Sequence, residues 1–194
     1  MGMESTLEGK KIAILATDGV ERVELEGPRD ALINAGAEIE VLSLEAGEFR
    51  SFDHLEPASV LVADVAVADA DATDYDGLVI PGGTLNSDLL RGDDEAVAFV
   101  AAVAEQKKPI GAICHGPWVL LEAGLVDGRN VTSFPSLKTD LKNAGANWSD
   151  EQVVVDQGMV TSRKPEDIPA FSDKLIEEFA EGPHEHAPQP SAGA

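Results

Sequence analysis

The stretch PIGAICHGPWVLLEAGL, residues 109–125, contains the single cysteine of the chain, Cys114, with His115 directly after it. The apolar residues before Cys114 predict a buried strand. Pro117 suits the first position of a following helix, because its missing N–H would have no partner there. Gly124 is typical of the end of that helix. The stretch therefore predicts a strand, a tight turn and a helix, with a cysteine in the turn.

The rest of the chain repeats this order of strand and helix. Predicted strands occupy residues 11–17, 38–44, 76–80, 109–114 and 130–134, and a two-strand hairpin occupies 151–163. Predicted helices occupy residues 28–37, 93–108, 117–125, 135–146 and 168–181, and the segment 46–72 suits a hairpin or an excursion. Strands that alternate with helices predict a mostly parallel sheet with helices on both faces. In such a sheet ligands bind beyond the carboxyl ends of the strands, where the turns after KIAILAT, DGLVI and PIGAIC lie.

Length and composition narrow the class of protein. A chain of 194 residues suits one domain, for which we expect a flexible N-terminus at 1–9, a folded part at 10–181 and a disordered tail at 182–194. A net charge of −22 argues against binding to nucleic acid or to an anionic membrane. No apolar window is long enough to span a membrane, and the polar N-terminus lacks a secretion signal. One cysteine excludes a disulfide scaffold and suits a reducing cytoplasm.

Residues alone leave two interpretations of Cys114 open. In the turn between a buried strand and a helix, the helix N-terminus would stabilise a thiolate, as in a nucleophile elbow, and Gly116 would give that turn room. A small buried structural cysteine is equally common in such a place. His115 has the same ambiguity: it is either a general acid or base, or a residue that merely completes the turn.

The other two turns at this edge add polar groups. The glycines of Pro81-Gly82-Gly83 permit close backbone approach, so their N–H groups could line an oxyanion hole beside Cys114. Several carboxyls follow the first strand, at Asp18, Glu21, Glu24 and Glu26, and one of them held protonated could donate a hydrogen bond to the cysteine. The sequence has no nucleotide-binding glycine pattern, so no cofactor is expected.

With AICHGP, the upstream PGG and an acidic first turn, the sequence resembles the ThiJ/PfpI family. The resemblance extends over residues 10 to about 181 and includes DGVERVELEGPRDAL, YDGLVIPGG and KKPIGAICHGPWVLLEAGL. It implies a flavodoxin-like three-layer α/β sandwich of the class-I glutamine-amidotransferase-like superfamily.

The same resemblance implies roles for individual residues. Cys114 matches the family nucleophile, Glu21 the glutamate that hydrogen-bonds it, and His115 the catalytic histidine. Asp88, in the loop TLNSDLLRGDD that is expected after the glycine turn, matches an acid that a neighbouring subunit contributes, which implies a homodimer or a higher homo-oligomer. Gly83 and His115 would supply the oxyanion N–H groups. The glycines expected to form the oxyanion and substrate-binding positions are Gly82, Gly83 and Gly116.

One departure from the superfamily limits the function. Its glutaminases carry a late His-x-Glu pair near the cysteine, whereas the late histidines here, His184 and His186, lie in the predicted tail, so no metal site is expected and an amidotransferase is disfavoured. Our leading hypothesis is a cysteine-dependent stress enzyme of the deglycase or glyoxalase type that acts on methylglyoxal or glyoxal adducts. The alternatives are an intracellular cysteine peptidase of the PfpI type, and a redox sensor or chaperone that uses the reactive cysteine.

Overall fold

The computed structural model describes residues 6–184, in which strands and α-helices alternate. The strands are β1 (Lys11–Leu15), β2 (Val20–Glu21), β3 (Glu38–Ser43), β4 (Gly47–Asp53), β5 (Glu56–Ala63), β6 (Val65–Ala66), β7 (Gly77–Ile80), β8 (Ile110–Ile113), β9 (Asn130–Val131), β10 (Asn147–Trp148), β11 (Val153–Asp156) and β12 (Met159–Ser162). The helices are α1 (Arg22–Asn34), α2 (Thr84–Arg91), α3 (Asp94–Glu105), α4 (Pro117–Glu122), α5 (Lys138–Asn143) and α6 (Ile168–Glu181).

A seven-stranded sheet forms the centre, in the spatial order β11-β12-β8-β7-β1-β3-β6. Its strands are parallel except for β11, which pairs antiparallel with β12. Because β1, β7 and β8 are neighbours, the turns that follow them meet at one edge of the sheet. This is the edge at which the three polar turns were expected.

The two faces of the sheet bury two separate apolar cores. Along β1, Ile12 and Ile14 belong to the core beneath α1 and α6, whereas Ala13 and Leu15 belong to the core that includes Phe99 of α3. This alternation is the period of two that a strand requires, and it places helices on both faces. The predicted three-layer α/β sandwich with a mostly parallel sheet is confirmed.

The segment 46–72 contains the hairpin that was one of its two predicted forms. Strands β4 and β5 pair antiparallel, and β2 adds to β4 in parallel, so a small second sheet of three strands stands beside the first. The turn of the hairpin holds His54, whose φ is 59°, and Leu55, which is 90% exposed. The small sheet thereby brings an exposed apolar tip next to the turn that follows β1.

Most predicted helices differ from the observed ones by about three residues or fewer at each end, but two departures are larger. Helix α1 begins at Arg22 rather than at Pro28, which lies inside the helix on its buried face. The earlier start follows from tertiary packing, since Glu24 and Leu25 are buried against the sheet. Helix α2 forms where a loop was expected, directly after the glycine turn.

The folded contacts extend beyond the predicted limits at both ends. Leu7 is fully buried and donates its N–H to Ala35, although the folded part was expected to begin at residue 10. At the other end His184 donates its N–H to Lys107, past the expected limit at 181. The remainder of both predicted termini lies outside the described residues. Among residues 6–184, no helix has the length and apolar character needed to cross a membrane.

Candidate active site

Cys114 follows the last residue of β8 and adopts a φ of 63°, in the left-handed region that few residues other than glycine occupy. Hydrogen bonds hold it there: its N–H donates to Ser162 at 3.1 Å, and its carbonyl accepts from Phe134 at 2.9 Å. The side chain is only 7% exposed, yet it lines a cavity. Such a tight strand-to-helix turn, with a strained residue at its apex, is the geometry of a nucleophile elbow.

The carboxyl beside Cys114 belongs to Glu24 and not to Glu21, which corrects the assignment that the resemblance implied. Glu24 is fully buried, and its Oε2 accepts the Gly82 N–H at 2.9 Å. Its Oε1 makes no hydrogen bond with the described residues, and the carboxyl interacts with the side chain of Cys114. Glu21 lines the same cavity but accepts the His54 N–H at 3.0 Å.

Glu24 rather than Glu21 lies beside Cys114 because of where each residue stands relative to the start of α1. Glu21 ends β2 and is held in the small sheet opposite Phe52, where it precedes the helix. Glu24 lies in the first turn of α1, on the same buried face as Leu25 and Pro28. A helix predicted from Arg22 onward would have placed Glu24 on the inward face by its spacing.

Burial keeps the Glu24 carboxyl neutral. Desolvation, assisted by the charge of Glu21, raises its pKa to about 8, against the opposing hydrogen bonds from Cys114 and Gly82. Glu24 therefore retains its proton near pH 7 and can donate it toward the sulfur of Cys114.

The Cys114 thiol is subject to opposite influences. Burial, and then the charge that Glu24 carries when ionised, raise the pKa of the thiol, whereas the N–H groups of Gly83 and His115 lower it. With Glu24 protonated the second of these raising effects disappears, and the carboxyl becomes a donor instead. The net effect is a raised pKa of the thiol, so its proton has to leave when the sulfur reacts, and the neutral Glu24 can then donate a hydrogen bond to the thiolate.

The side chains of Cys114 and His115 contact each other, which consecutive residues on a tight turn rarely do. Nδ1 of His115 lies 3.2 Å from Sγ of Cys114. The ring is stacked on Phe134, with centroids 4.9 Å apart, and meets Trp118 edge-on at 5.3 Å. Burial lowers the pKa of His115, so a neutral imidazole faces the sulfur and can accept its proton.

The glycines of the site differ in what their N–H groups do. The Gly83 N–H is directed at the side chain of Cys114, and its predicted role toward a substrate oxygen stays a prediction. The N–H of Gly82 is taken by Glu24, and that of Gly116 by Ile113 at 2.9 Å, so neither is available to a substrate oxygen. Gly116 is required instead for packing, because a β-carbon there would lie 2.6 Å from the carbonyl oxygen of Ile80.

A buried side chain that the sequence analysis missed holds the glycine turn in place. Asn86 is fully buried, and its amide accepts the Thr17 N–H at 2.8 Å and donates to the carbonyls of Pro81 and Gly82 at 3.1 Å. It thus ties the turn after β1 to the turn after β7. An asparagine two residues into a predicted loop gives little sequence signal for such a role.

Asp88 does not meet His115 within one chain. It lies on the exposed side of α2 and is not among the residues that line the cavity. Its predicted contribution from a neighbouring subunit therefore stays a prediction.

The cavity above Cys114 has a volume of about 600 Å³. Its ionisable residues other than Cys114 and His115 are Glu21, Glu24, His54, Lys164 and Glu166. Its apolar residues are Phe52, Leu55, Leu85, Phe134 and Pro165. A cavity of this size with one nucleophile at its base suits a small or extended organic substrate.

The late histidine lies far from this site. Nε2 of His184 is 2.8 Å from Oε2 of Glu178 and 3.9 Å from Oε2 of Glu181, at the end of α6. Its ring packs beside Gly158, before β12, and so at the opposite edge of the sheet from Cys114. In the described part of the chain, the one group of side chains that could hold a metal ion with three ligating atoms consists of Glu178, Glu181 and His184. His186 lies outside the described residues.

Comparison with known proteins places this geometry in a family. Residues 10–178 match the model of the DJ-1/PfpI family. The putative cysteine protease YraA of Bacillus subtilis is 45% identical over 86% of this chain and 96% of its own length. Protein/nucleic acid deglycase 2 of Escherichia coli is 40% identical, over 86% of this chain and 96% of its own length.

A solved structure agrees with the sequence relatives. Drosophila melanogaster DJ-1beta superimposes with a TM-score of 0.80 at 29% identity, over 88% of this chain and 90% of that chain. The match to the family model begins just before β1 and ends within α6. It therefore includes the central sheet, the glycine turn and the cysteine turn. The chain belongs to the DJ-1/PfpI family.

Proposed function

We propose that the protein is a cysteine-dependent enzyme of the deglycase or glyoxalase type that acts on reactive carbonyls such as methylglyoxal and its adducts. The observation that carries the proposal is the buried, protonated Glu24 beside a strained Cys114 at the base of an open cavity. A related protein is named for deglycase activity. A thiolate in this setting is a nucleophile with a donor already beside it.

The chemistry of a 2-oxoaldehyde fits the groups present. His115 Nδ1 takes the thiol proton, Sγ adds to the aldehyde carbon, and the imidazolium returns the proton to the former carbonyl oxygen to give a hemithioacetal. Transfer of the hydrogen from that carbon to the neighbouring keto carbon converts the adduct to a thioester. Water then hydrolyses the thioester to a hydroxy acid and restores the thiol, so that the elements of water are the only addition. The N–H groups of Gly83 and His115 lie at the sulfur, next to the position of the substrate oxygen.

The runner-up function is an intracellular cysteine peptidase, which the name of another relative supports. Peptide cleavage requires protonation of an amine leaving group, for which an imidazolium is the usual donor. Burial lowers the pKa of His115 and so disfavours that cation. Aldehydes are also more electrophilic than amides. These points favour the carbonyl substrate, with a redox sensor or chaperone as the third alternative.

We also propose that the protein works in the cytoplasm as a homodimer or a higher homo-oligomer, with Asp88 near a neighbouring subunit's site. Leu85 and Leu89 on the same helix are 49% and 38% exposed, and Leu55 at the cavity rim is 90% exposed. Burial of such residues at an interface is favourable. Undiminished turnover by a diluted, monomeric protein would contradict the need for a partner.

The decisive experiment compares wild type with Cys114→Ser on methylglyoxal and on a fluorogenic peptide. We expect the variant to lose methylglyoxal turnover by roughly a thousandfold or more while keeping its circular dichroism spectrum. Since Cys114 is the only cysteine, stoichiometric alkylation of wild type by iodoacetamide should cause the same loss. Full activity in Cys114→Ser would disprove the nucleophile assignment. Peptide cleavage without methylglyoxal turnover would favour the peptidase, and selective peroxide oxidation without either would favour the sensor.

A further inference from the structure

The imidazole of His115 is held at both nitrogens by this chain alone. Nδ1 faces Sγ of Cys114 at 3.2 Å, and Nε2 lies 3.4 Å from two hydroxyl oxygens, Oγ1 of Thr84 and Oγ of Ser136. Thr84 is the first residue of α2, and Ser136 lies in the short 3₁₀ helix Pro135–Leu137. Two elements from different parts of the chain therefore converge on one ring nitrogen.

In this chain the hydroxyls occupy the place that an acid takes in a catalytic triad. Among residues 6–184 no carboxylate forms a hydrogen bond or an ion pair with Nε2, and the ring is only 9% exposed. The aromatic rings of Phe134 and Trp118 hold the faces and edge of the imidazole but offer no hydrogen-bond acceptor to Nε2. The hydroxyls are thus the polar partners of that nitrogen within the described chain.

A hydroxyl suits this position because of its two lone pairs. It accepts a hydrogen bond from Nε2–H whether the imidazole is neutral or protonated. When Nε2 carries the proton of the neutral ring, Nδ1 keeps its lone pair, and that lone pair points to the sulfur. A carboxylate at the same place would accept the same hydrogen bond, but it would also stabilise the imidazolium and so raise the pKa of the ring. A Cys114 thiol that donates to Nδ1 leaves the ring proton on Nε2, where both hydroxyls can accept from it, whereas a bare Nε2 has one lone pair and could accept from only one of them. The hydroxyls thus favour this tautomer without adding a charge.

We propose that Thr84 and Ser136 are positioning residues that hold His115 in its Nε2–H tautomer, so that Nδ1 is free to accept the proton of Cys114. The proposal rests on the proposed function for its effect on turnover, but the tautomer itself exists in the resting protein. Neither hydroxyl touches the substrate carbon. Their effect is exerted through the imidazole.

The test uses Thr84→Val, Ser136→Ala and the double variant, with Thr84→Ser and Ser136→Thr as matched controls that retain a hydroxyl. Long-range ¹⁵N–¹H NMR of the four histidines reports the tautomer of His115 without any substrate. We expect wild type and both controls to show the Nε2–H tautomer at pH 7.5. The double variant should show a mixture of tautomers or the Nδ1–H form.

Turnover gives a second measurement. We expect the double variant to lower kcat for methylglyoxal on the order of tenfold, a part of what a general base contributes, with KM within twofold. The acid limb of its pH profile should shift, whereas Thr84→Ser and Ser136→Thr should follow wild type. The other titratable groups facing the ring across the cavity, Glu21, Glu24, His54, Lys164 and Glu166, are unchanged in every variant.

Two results would overturn the proposal. One is a wild-type tautomer and kcat in the double variant, or in both single variants if the double variant does not fold. The other is a tautomer that survives in the double variant but is lost in Asp88→Asn, because a partner acid would then position the ring. If wild type does not turn over methylglyoxal at all, the proposed function fails, and the NMR measurement still decides the role of the hydroxyls.

Discussion

Two glutamates are buried at opposite edges of the sheet, and the protein accommodates them in different ways. Glu24 is fully buried at the edge that carries Cys114, with the Gly82 N–H on one oxygen and, among residues 6–184, no cation in an ion pair with it. Glu178 is 9% exposed at the other edge, with the His184 ring 2.8 Å away. Burial raises the pKa of both carboxyls, but the His184 charge opposes the rise at Glu178 only.

This difference separates a reactive carboxyl from a structural one. Glu178 can lose its proton because an imidazole next to it can become charged, and the pair then neutralises itself. Glu24 has no such neighbour, so it remains a neutral donor close to the sulfur of Cys114. The absence of a cation is therefore what fits Glu24 to its chemistry.

The largest effect that we expect comes from Glu24→Gln and concerns stability. The folded pKa of Glu24, about 8, lies above the ordinary value of 4.5. Between these pH values the unfolded chain releases a proton that the folded protein keeps, so wild-type stability falls as pH rises. The total loss is on the order of 5 kcal/mol and is nearly complete above pH 8. Glu24→Gln should remove this pH-dependent loss. In urea unfolding, the free energy of unfolding of the variant should therefore rise relative to that of wild type between pH 5 and pH 9.

Glu178→Gln is the matched control for that measurement. Because His184 compensates Glu178, the same substitution there should change the pH dependence much less. Equal slopes in the two variants would contradict the distinction between the two carboxyls.

The next largest effect should follow from Gly82→Ala. A β-carbon at this position would lie 2.3 Å from Oε2 of Glu24 and 2.5 Å from Cβ of Cys114, so one of the two groups must move. Overpacking of this kind costs about 3 kcal/mol. We expect kcat/KM for methylglyoxal to fall about a hundredfold. Gly92→Ala is the control, since its nearest contact would be 3.4 Å from the Asp88 carbonyl; similar losses in both would refute the argument from close packing.

A smaller effect should appear in the pH profile of activity. Above the Glu24 pKa of about 8 the donor becomes an anion beside the thiolate, and kcat/KM should decline. By pH 9 the protonated fraction, and with it the rate, falls about tenfold. Glu24→Gln should lack this alkaline limb, whatever its maximal rate. An unchanged limb in that variant would assign the titration to another group.

The smallest effect should come from His184→Gln at the opposite edge. Loss of the pair with Glu178 should lower the free energy of unfolding by ~1 kcal/mol. His54→Gln, at a side chain that is 83% exposed, is the control in thermal melts. Loss of methylglyoxal turnover in His184→Gln would contradict a purely structural role.

The sequence predicted best what depends on short-range pattern. The apolar runs ending at Leu15, Ile80 and Ile113 gave three central strands, and their shared edge gave the position of the site. Helix α3 was also clear, and its Asp93 N-cap accepts the Ala96 N–H at 2.9 Å.

What the sequence did not predict depends on contacts between distant residues. Helix α2 has few strong helix formers in its first turns, and Asn86 anchors it to the turn after β1. The choice between Glu21 and Glu24 required the true start of α1, which packing against the sheet sets. The neutral state of Glu24 depends on its burial, and the contacts of His115 with two hydroxyls depend on how distant segments fold together. Neither can be inferred from the order of the residues alone.

The left-handed backbone of Cys114 has an evolutionary consequence. Glycine adopts a φ of 63° freely, whereas an L-residue with a β-carbon does so at a cost on the order of 1 kcal/mol. Glycine would relieve that cost, and a single base change separates the codons of the two residues. The backbone of this turn therefore gives no reason of its own for a cysteine at position 114, and the reason has to lie in the thiol.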